Sequence, residues 1–357
     1  MNYLRLLFAP VAFLYGIGIF FRNLFYDLGI FPSEEFKTGV IVIGNLSAGG
    51  TGKSPMTEYL IRLLKEKFPV ATLSRGYKRH TQGFLVADNN STSFQIGDEP
   101  LQFKKKFPDL IIAVDENRKH GIKKLLKDFP QLKTILLDDA FQHRRVKAGL
   151  SILLTDHGKM FYDDFLLPAG TLREWRSGKK RADVIVVTKC PGNLSPVEKR
   201  IIQKKINLEA HQHVFFSYIK YSEPISVFGS SNLVLEKDMT VVLLTGISNP
   251  QPLRDFLKGK VKMTLAIPYP DHHEYTLVEV THLIDKFNRI DSKNKIIITT
   301  EKDAMRLDKP GLIELLEKLP IYYIPIETTF ADNEKEEFNK IITDYVTRTN
   351  KSNFGIH

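Results

Sequence analysis

The sequence predicts an α/β protein built on a doubly wound, mostly parallel sheet, with a second, smaller α/β domain and an N-terminal apolar helix. Three observations lead to this fold class. Short, continuously apolar, β-branched segments alternate with amphipathic helical segments, which is typical of parallel strands buried on both faces. Two successive series of such segments are separated by a stretch containing proline and glycine, and 357 residues suffice for two domains. The first 30 residues have a composition of their own.

The bulk composition is that of a globular, positively charged protein. Lys and Arg number 51 against 41 Asp and Glu, which gives a formal net charge of +10, and 43% of the residues are hydrophobic. The charge suggests an anionic partner, which leaves nucleic acid, a phosphorylated substrate and anionic lipid as classes. Cys190 is the single cysteine, so a disulfide framework and a cysteine-built metal site are excluded and a reducing compartment is expected.

The N-terminal 30 residues contain a short apolar run. Residues 6–21 carry no charge, and Arg5 and Arg22 close the run on either side. A spanning helix needs about 20 apolar residues, so a true span is disfavoured. A secretory signal peptide and a core-packing helix are further alternatives, but no small-x-small cleavage site follows the run. We therefore expect residues 1–30 to form an amphipathic or apolar helix that lies in the membrane interface.

The rest of the chain contains two series of predicted strands. The first comprises residues 40–43, 70–73, 110–114, 134–137 and 152–154. The second comprises residues 184–187, 214–219, 241–244, 296–299 and 322–326. A helix is predicted over 56–67, where apolar side chains recur at helical spacing. Helices are also predicted over 119–128 and 334–347, where charged residues indicate a solvent-exposed face. Each series alone could build a doubly wound domain.

The strongest local signal is a glycine-rich segment, residues 44–54, which reads GNLSAGGTGKS and is called the phosphate loop below. It follows a predicted strand directly and precedes a predicted helix, the context that a phosphate-binding loop requires. In this pattern Lys53 reaches the β- and γ-phosphates of ATP, and the Ser54 hydroxyl binds Mg²⁺. One departure is Ser47, which stands where the pattern has its first glycine. The predicted P-loop NTPase-like site for ATP comprises Ser47, Ala48, Gly49, Gly50, Thr51, Gly52, Lys53 and Ser54.

Two acids follow the predicted strand at 134–137. Asp138 and Asp139 stand where a carboxylate that holds Mg²⁺ belongs in a phosphate-loop protein. A solvated turn is the plainer alternative. We predict that Asp138 meets the metal and that Asp139 faces the incoming substrate, with Gln142 and His143 on the same rim.

Other segments are weaker when taken singly. Arg75 ends a predicted strand and could meet a phosphate or lie on the surface, and Asp98 opens a predicted helix and could be only an N-cap. Residues 271–274 read DHHE, but adjacent histidines lack the usual spacing of zinc ligands. Residues 300–303 could face a nucleotide base or cap a helix.

The domain layout follows from these signals. We predict a membrane-interface helix at 1–30, a phosphate-loop domain at 31–165, a hinge at 166–180 and a second α/β domain at 181–330. A C-terminal helix at 334–349 is expected to join the phosphate-loop domain.

Taken in order, the motifs resemble those of the tetraacyldisaccharide 4'-kinase family, the lipid A 4'-kinases of Gram-negative bacteria. The resemblance runs from the N-terminal apolar helix to about Arg306. No motif except the phosphate loop is specific alone, but the ordered set is. The segments are GGTGKSP (49–55), SRGY (74–77), GDEP (97–100), LDDAFQH (137–143), LPAGTLRE (167–174), DHH (271–273) and TEKD (300–303).

The resemblance implies an ATP-dependent lipid kinase. It implies ATP and Mg²⁺ as cofactors and transfer of the γ-phosphate to the 4'-hydroxyl of tetraacyldisaccharide 1-phosphate, which forms lipid IVA in lipid A (lipopolysaccharide) biosynthesis. The enzyme is then expected as a peripheral, monotopic protein on the cytoplasmic face of the bacterial inner membrane. The implied partners are the lipid disaccharide and the anionic membrane surface, with no nucleic acid and no obligate protein partner.

The resemblance also assigns roles to single residues. Asp98 matches the acid that deprotonates the sugar hydroxyl, and His272 is taken as its partner in preference to His273. Trp175 stands where the family pattern has proline. The implied catalytic residues are Asp98, His272, Lys53, Asp139 and Glu174; the metal ligands are Ser54 and Asp138; the substrate-binding residues are Arg75, Gln142 and His143.

Two other functions are weighed against the kinase. A phosphate-loop ATPase or GTPase switch, or a metal-insertion factor, would explain the loop but not the apolar N-terminus. A nucleic-acid-binding protein would explain the charge, but the Lys and Arg residues lie in scattered short groups without interleaved aromatic residues.

Overall fold

The computed structural model of the chain describes residues 7–229, 231–271, 273–309 and 311–352, and their strands form two sheets. The nine-stranded sheet contains β1 (Gly39–Asn45), β2 (Val70–Ser74), β3 (Leu85–Val86), β4 (Ile111–Val114), β5 (Thr134–Asp138), β6 (Leu150–Asp156), β7 (Val184–Thr188), β8 (His213–Tyr221) and β14 (Ile326–Phe330). The five-stranded sheet contains β9 (Ile225–Ser226), β10 (Thr240–Thr245), β11 (Met263–Pro268), β12 (Lys295–Thr300) and β13 (Ile321–Ile324).

Helices flank both sheets. They are α1 (Ala9–Asp27), α2 (Lys53–Leu64), α3 (Ser93–Ile96), α4 (Asp98–Lys106), α5 (Arg118–Asp128), α6 (Pro196–Ile206), α7 (Gln251–Leu257), α8 (Leu277–Asn288), α9 (Glu301–Leu307), α10 (Ile313–Leu316) and α11 (Asp332–Ser352). Short 3₁₀ helices cover Phe161–Asp163 and Arg176–Arg181.

The large sheet is mostly parallel and buried on both faces. Its strand order is β14-β8-β7-β6-β1-β5-β2-β4-β3, and only the edge pairs β14–β8 and β3–β4 are antiparallel. Along β1, Val40 and Val42 pack on one face whereas Ile41 and Ile43 pack on the other, as the period of two requires. Helices α2 and α11 cover one face, and α5 and α6 cover the other. This is the doubly wound arrangement that the continuous apolar strands predicted.

The small sheet has the order β11-β10-β12-β13-β9 and is parallel except for β9. Helices α8, α9 and α10 pack on one face and α7 on the other. Strand β11 was not predicted. It lies at the edge of the sheet and its side chains are mostly exposed, so its sequence need not show the continuous apolar pattern of a buried strand.

The division between the sheets differs from the predicted boundary at 166–180. Strands β7 and β8 continue the large sheet beside β6, although the sequence assigned residues 181–330 to the second domain. The predicted strand at 322–326 is two strands that lie in different sheets, since Pro325 has no N–H to continue the ladder. A buried apolar strand has the same composition in either sheet, so only its pairing partner shows where it belongs. The chain passes between the sheets at residues 222–224 and at Pro325.

Helix α1 presents its apolar side to solvent. Of its residues only Ala12 and Gly16 are buried. It is long and apolar enough to cross a membrane by length and composition, and no other described helix meets that criterion. Two hydrogen bonds attach it to the rest of the protein near its buried residues: Tyr15 donates to the Arg173 carbonyl at 2.7 Å, and the Trp175 indole donates to the Gly16 carbonyl at 2.7 Å.

Candidate active site

The phosphate loop joins the end of β1 to the first turn of α2, as predicted. Gly49 and Gly52 have φ values of +113° and +83°, which glycine adopts without steric cost. Among the described residues, the backbone N–H groups of Gly50, Gly52, Lys53 and Ser54 have no hydrogen-bond acceptor. Unpaired N–H groups at the start of a helix form an anion site, because they carry the positive end of the helix dipole.

The segment that the sequence took for a hinge lies directly beside this loop. The Ala48 N–H donates to the Thr171 carbonyl at 2.7 Å, and the Arg173 N–H donates to the Leu46 carbonyl at 2.7 Å. Residues 171–173 therefore extend the wall of the phosphate loop, and they bring the Arg173 side chain to the site.

Lys53 and Asp139, which the sequence assigned separately to the site, lie close together. Lys53 Nζ lies 3.7 Å from Asp139 Oδ1, and Arg173 Nη1 lies 2.9 Å from the same oxygen. Asp139 has a φ of +47°, an uncommon conformation for a residue other than glycine. Two cations thus converge beside the unpaired N–H groups of the loop, where a phosphate carries its negative charge. Arg173 was not assigned from the sequence, although it is part of the LPAGTLRE segment.

Asp138 lies at the end of β5 and is completely buried. Its Oδ1 accepts from Thr57 Oγ1 at 3.0 Å, and its Oδ2 has no partner among the described residues. Burial, Glu99 and Asp139 raise the pKa of Asp138 above its ordinary value. An orphaned carboxylate oxygen with a raised pKa fits a site for a divalent cation, whose charge would compensate the burial.

The hydroxyl of Ser54 contacts a carboxylate from α4. Ser54 Oγ donates to Glu99 Oε1 at 3.2 Å, and Lys302 Nζ of α9 lies 2.6 Å from the same oxygen. The Lys302 ammonium holds the pKa of Glu99 well below its usual range. Glu99 is thus an anion at neutral pH that links the phosphate loop to the small sheet. The sequence assigned no role to Glu99 or Lys302, although they belong to the GDEP and TEKD segments.

Asp98 is bound by Arg306 of α9. Arg306 Nε donates to Asp98 Oδ2 at 2.9 Å, and its Nη1 donates to Asp303 Oδ1 at 2.9 Å and to the Gly246 carbonyl at 3.0 Å. Arg306 is only 2% exposed and is the largest fully buried side chain described. The ion pair fixes one carboxylate oxygen of Asp98 at the boundary between the two sheets, on the first turn of α4.

The segment 300–303 caps a helix, which was one of its two interpretations. Thr300 is the N-cap of α9, and its side chain accepts from the Asp303 N–H at 3.2 Å. Asp303 is completely buried and also accepts from the Gly246 N–H at 3.0 Å. Its role in this structure is to hold Arg306 and the end of β10.

Glu174 is 1% exposed, and the cation paired with its carboxylate is Arg181. Both of its oxygens lie 2.8 Å from Arg181 Nη2, and Gln142 Nε2 donates to it at 2.9 Å. Asn23 of α1 also donates to it, at 3.2 Å. The carboxylate therefore ties the N-terminal helix to the rim of the site through Gln142, which also donates to the Asn45 carbonyl at 2.7 Å.

The remaining rim residues are Arg75 and His143. Arg75 is exposed at the carboxyl end of β2, on the same edge as Asp138. Burial and the nearby Arg118, Arg145 and Arg22 lower the pKa of His143 to about 4, so the ring is neutral at pH 7. His143 Nε2 is buried without a partner among the described residues, so it is free to form a hydrogen bond with a bound molecule.

The DHHE segment contains two histidines, His272 and His273. His272 lies outside the described residues. His273 Nε2 lies 2.9 Å from Glu279 Oε1, and its ring stacks on Tyr269. In the described part of the chain no group of three or more His, Cys, Asp or Glu side chains could hold a metal ion by itself.

Comparisons with known proteins show the family. The model of the family described as "Tetraacyldisaccharide-1-P 4'-kinase" matches residues 4–347. The tetraacyldisaccharide 4'-kinase of Bacteroides thetaiotaomicron is 44% identical over 360 residues, covering 97% of this chain and 94% of that protein. That of Flavobacterium psychrophilum is 46% identical over 349 residues, covering 97% and 98%.

A solved structure has the same fold. The crystal structure of LpxK from Aquifex aeolicus in complex with ATP superposes with a TM-score of 0.73 at 27% identity, and the match covers 96% of this chain and 99% of that one. The family resemblance inferred from the ordered motifs is confirmed. The chain belongs to the tetraacyldisaccharide-1-P 4'-kinase family.

Proposed function

We propose that this protein transfers the γ-phosphate of ATP to the 4'-hydroxyl of tetraacyldisaccharide 1-phosphate, in lipid A biosynthesis. The observation that carries the proposal is the convergence of the phosphate loop, Lys53 and the α4 acids at one end of the large sheet. Family membership supplies the substrate class. No feature of the described site favours a switch ATPase or a metal-insertion factor.

The loop and the two cations provide what phosphate transfer requires. Backbone N–H groups of the loop bind the phosphates, and Lys53 and Arg173 neutralise charge that builds on the transferred group. Ser54 and Asp138 supply the oxygens that would hold Mg²⁺, whose chemistry when bound is to neutralise the phosphate oxygens. The orphaned Asp138 Oδ2 supports this assignment.

Asp98 serves as the proton acceptor in this proposal. The sugar 4'-hydroxyl gives its proton to an Asp98 oxygen as its own oxygen attacks the γ-phosphorus and the bond to the β-phosphate oxygen breaks. Arg306 fixes Oδ2 at 2.9 Å, which orients the carboxylate. His272 is proposed to assist Asp98, as the family resemblance implies.

The two histidines can be separated by substitution. We expect His272→Ala to lower kcat by about 100-fold, within the range for general acid–base groups, and His273→Ala to lower it by less than about fivefold. The physical reason is that His273 is already engaged by Glu279. Steady-state rates at saturating ATP and lipid test this, and a larger defect in His273→Ala would refute the choice of His272.

Rim residues are proposed to bind the disaccharide. Arg75, Gln142 and His143 offer a cation, an amide and a neutral imidazole, which suit the polar groups of a phosphorylated sugar. Asp139 is proposed to orient Lys53 and Arg173 toward the transferred phosphate, and Glu174 to hold Gln142 in place. Two of these residues contact α1, since Arg22 donates to the Gln142 carbonyl and Asn23 donates to Glu174.

Helix α1 is proposed to lie in the cytoplasmic leaflet of the inner membrane. Leu14 is 68% exposed and Phe13 is 61% exposed, and apolar side chains follow the same side of the helix to Phe21. Water contact with so much apolar surface is unfavourable, and a lipid interface removes it. The acyl chains of the substrate can stay in the bilayer while its sugar reaches the rim.

Charging this surface should detach the protein from lipid. We expect Phe13→Asp/Leu14→Asp to lower binding to anionic vesicles by at least about tenfold, because each buried apolar side chain contributes about 1.5–3 kcal/mol. Vesicle co-sedimentation measures this. The matched control is Val197→Asp, an equally exposed apolar residue on α6. Unchanged vesicle binding by the double variant would contradict the interfacial position.

Locating the transferred phosphate tests the activity itself. The purified protein is incubated with γ-labelled ATP, Mg²⁺ and a tetraacylated disaccharide 1-phosphate, and the product is analysed for label at the 4' position. Lipid-dependent consumption of ATP with label at 4' is expected. Turnover of ATP that is independent of the lipid would favour the switch ATPase.

A further inference from the structure

Two side chains at the end of β7 contact the back of the phosphate loop. The Lys189 ammonium donates to the Gly50 carbonyl and forms an ion pair with Asp156, whose Oδ2 lies 2.8 Å from Nζ. Thr188 Oγ1 donates to the Thr51 carbonyl at 2.8 Å. Two successive carbonyls of the loop therefore receive side-chain donors from consecutive residues at the end of β7.

These contacts are made to carbonyl groups of the loop, whereas its backbone N–H groups form the proposed phosphate site. When the N–H groups of a loop converge on an anion, some of its carbonyls point back into the protein, where they need donors. The preceding carbonyl, that of Gly49, accepts from the Thr51 N–H of the loop at 3.0 Å, and Asn45 Nδ2 lies 3.5 Å from it. The Gly50 and Thr51 carbonyls thus receive donors from outside the loop, while the Gly50, Gly52, Lys53 and Ser54 N–H groups stay unpaired in the described residues.

The backbone conformation of Lys189 also supports a specific role for this residue. Its φ is +57°, a region that favours glycine and is uncommon for a long side chain. Asp156 is itself fixed, because its Oδ1 accepts from the Gly158 N–H at 2.8 Å while its Oδ2 meets Lys189. The uncommon backbone conformation and the anchored carboxylate thus both accompany the contact between the ammonium and the loop.

We propose that Lys189 and Thr188 are positioning residues that hold the phosphate loop with its N–H groups directed at the nucleotide phosphates. They act through the Gly50 and Thr51 peptides and touch neither nucleotide nor lipid. The proposal rests on phosphate binding by the loop, and it adds the end of β7 to the residues on which nucleotide affinity depends.

The test compares the affinity of the protein for a nucleoside triphosphate with its affinity for a triphosphate that has no nucleoside. Isothermal titration with the magnesium complexes of a non-hydrolysable ATP analogue and of inorganic tripolyphosphate is carried out on the full chain. Lys189→Met should weaken both ligands by about tenfold, the value of one charge-assisted hydrogen bond, and Thr188→Val by about fivefold. Lys180→Met is the matched control, since Lys180 is a surface lysine whose ion pair is with Glu209, and it should stay within about twofold of wild type.

A second variant separates the ammonium from the backbone. Lys189→Gly adopts a φ of +57° without strain but has no donor, so it should lose affinity as Lys189→Met does. Melting temperatures of the variants within a few degrees of wild type show that the loss is local.

Three results would contradict either this positioning role or the nucleotide site on which it rests. Unchanged affinity in both Lys189 variants would overturn it. Loss of affinity for the ATP analogue alone, with tripolyphosphate unaffected, would overturn it as well, because Lys189 would then contact the nucleoside. Failure of the wild-type protein to bind either ligand would instead refute the proposed nucleotide site.

Discussion

Replacing Lys53 by alanine is expected to lower the rate of phosphate transfer by at least about 100-fold, the range for loss of one preorganised charge-stabilising group. Lys53 Nζ lies 3.7 Å from Asp139 and beside the unpaired N–H groups of the loop. The substitution removes a cation where charge builds in the transition state, and Arg173 alone remains there. Single-turnover rates with labelled ATP and the lipid acceptor measure the change.

The control for this variant lies on the same helix. Lys65 caps the far end of α2 and pairs with Glu66 on the surface, so Lys65→Ala should keep its rate within about twofold. Near-normal transfer by purified, folded Lys53→Ala protein would remove Lys53 from the assignment.

Asp98→Asn is expected to lower kcat by about 10²–10⁴-fold while the affinity for ATP changes by less than about threefold. The asparagine keeps the shape of the side chain and can still accept from Arg306, but it cannot take a proton. The split between kcat and nucleotide affinity is therefore the diagnostic observation. Rates are measured at saturating ATP and lipid, and affinity by titration with a non-hydrolysable analogue.

Asp109→Asn serves as its control, because Asp109 is an exposed acid shortly after the same helix. Its rate should equal that of wild type. Since Asp98 also neutralises the buried Arg306, the melting temperature of Asp98→Asn is recorded alongside. An equal loss in kcat and in ATP affinity would exclude Asp98 as the proton acceptor and assign it a role in nucleotide binding.

The strand pattern and the phosphate loop were predictable because their signals are local. A strand buried on both faces needs consecutive apolar residues, and a loop that wraps phosphates needs glycines, a lysine and a hydroxyl at fixed spacing. Asp138 was predictable as well, because it ends a strand on the edge where the loop lies. These features require only a few neighbouring residues and the alternation of strand and helix.

Other parts of the site depend on residues far apart in the chain. Arg306 meets Asp98 across 208 positions, and Lys302 meets Glu99 across 203. Each residue alone is an ordinary charged position on a helix. Only the packing of α4 against α9 makes these pairs, and charge–charge interaction then shifts the pKa of Glu99.

The sequence by itself determined the α/β class, the phosphate loop, the apolar N-terminal helix and, through the order of its motifs, the family. The tertiary structure decided which sheet each strand joins, that residues 171–173 form a wall of the phosphate loop, and that β7 supplies donors to the back of that loop. The physical reason is that composition and spacing encode burial and local backbone geometry. Pairing partners, ion pairs between distant helices and the direction of a carbonyl are fixed only when the sheets are assembled.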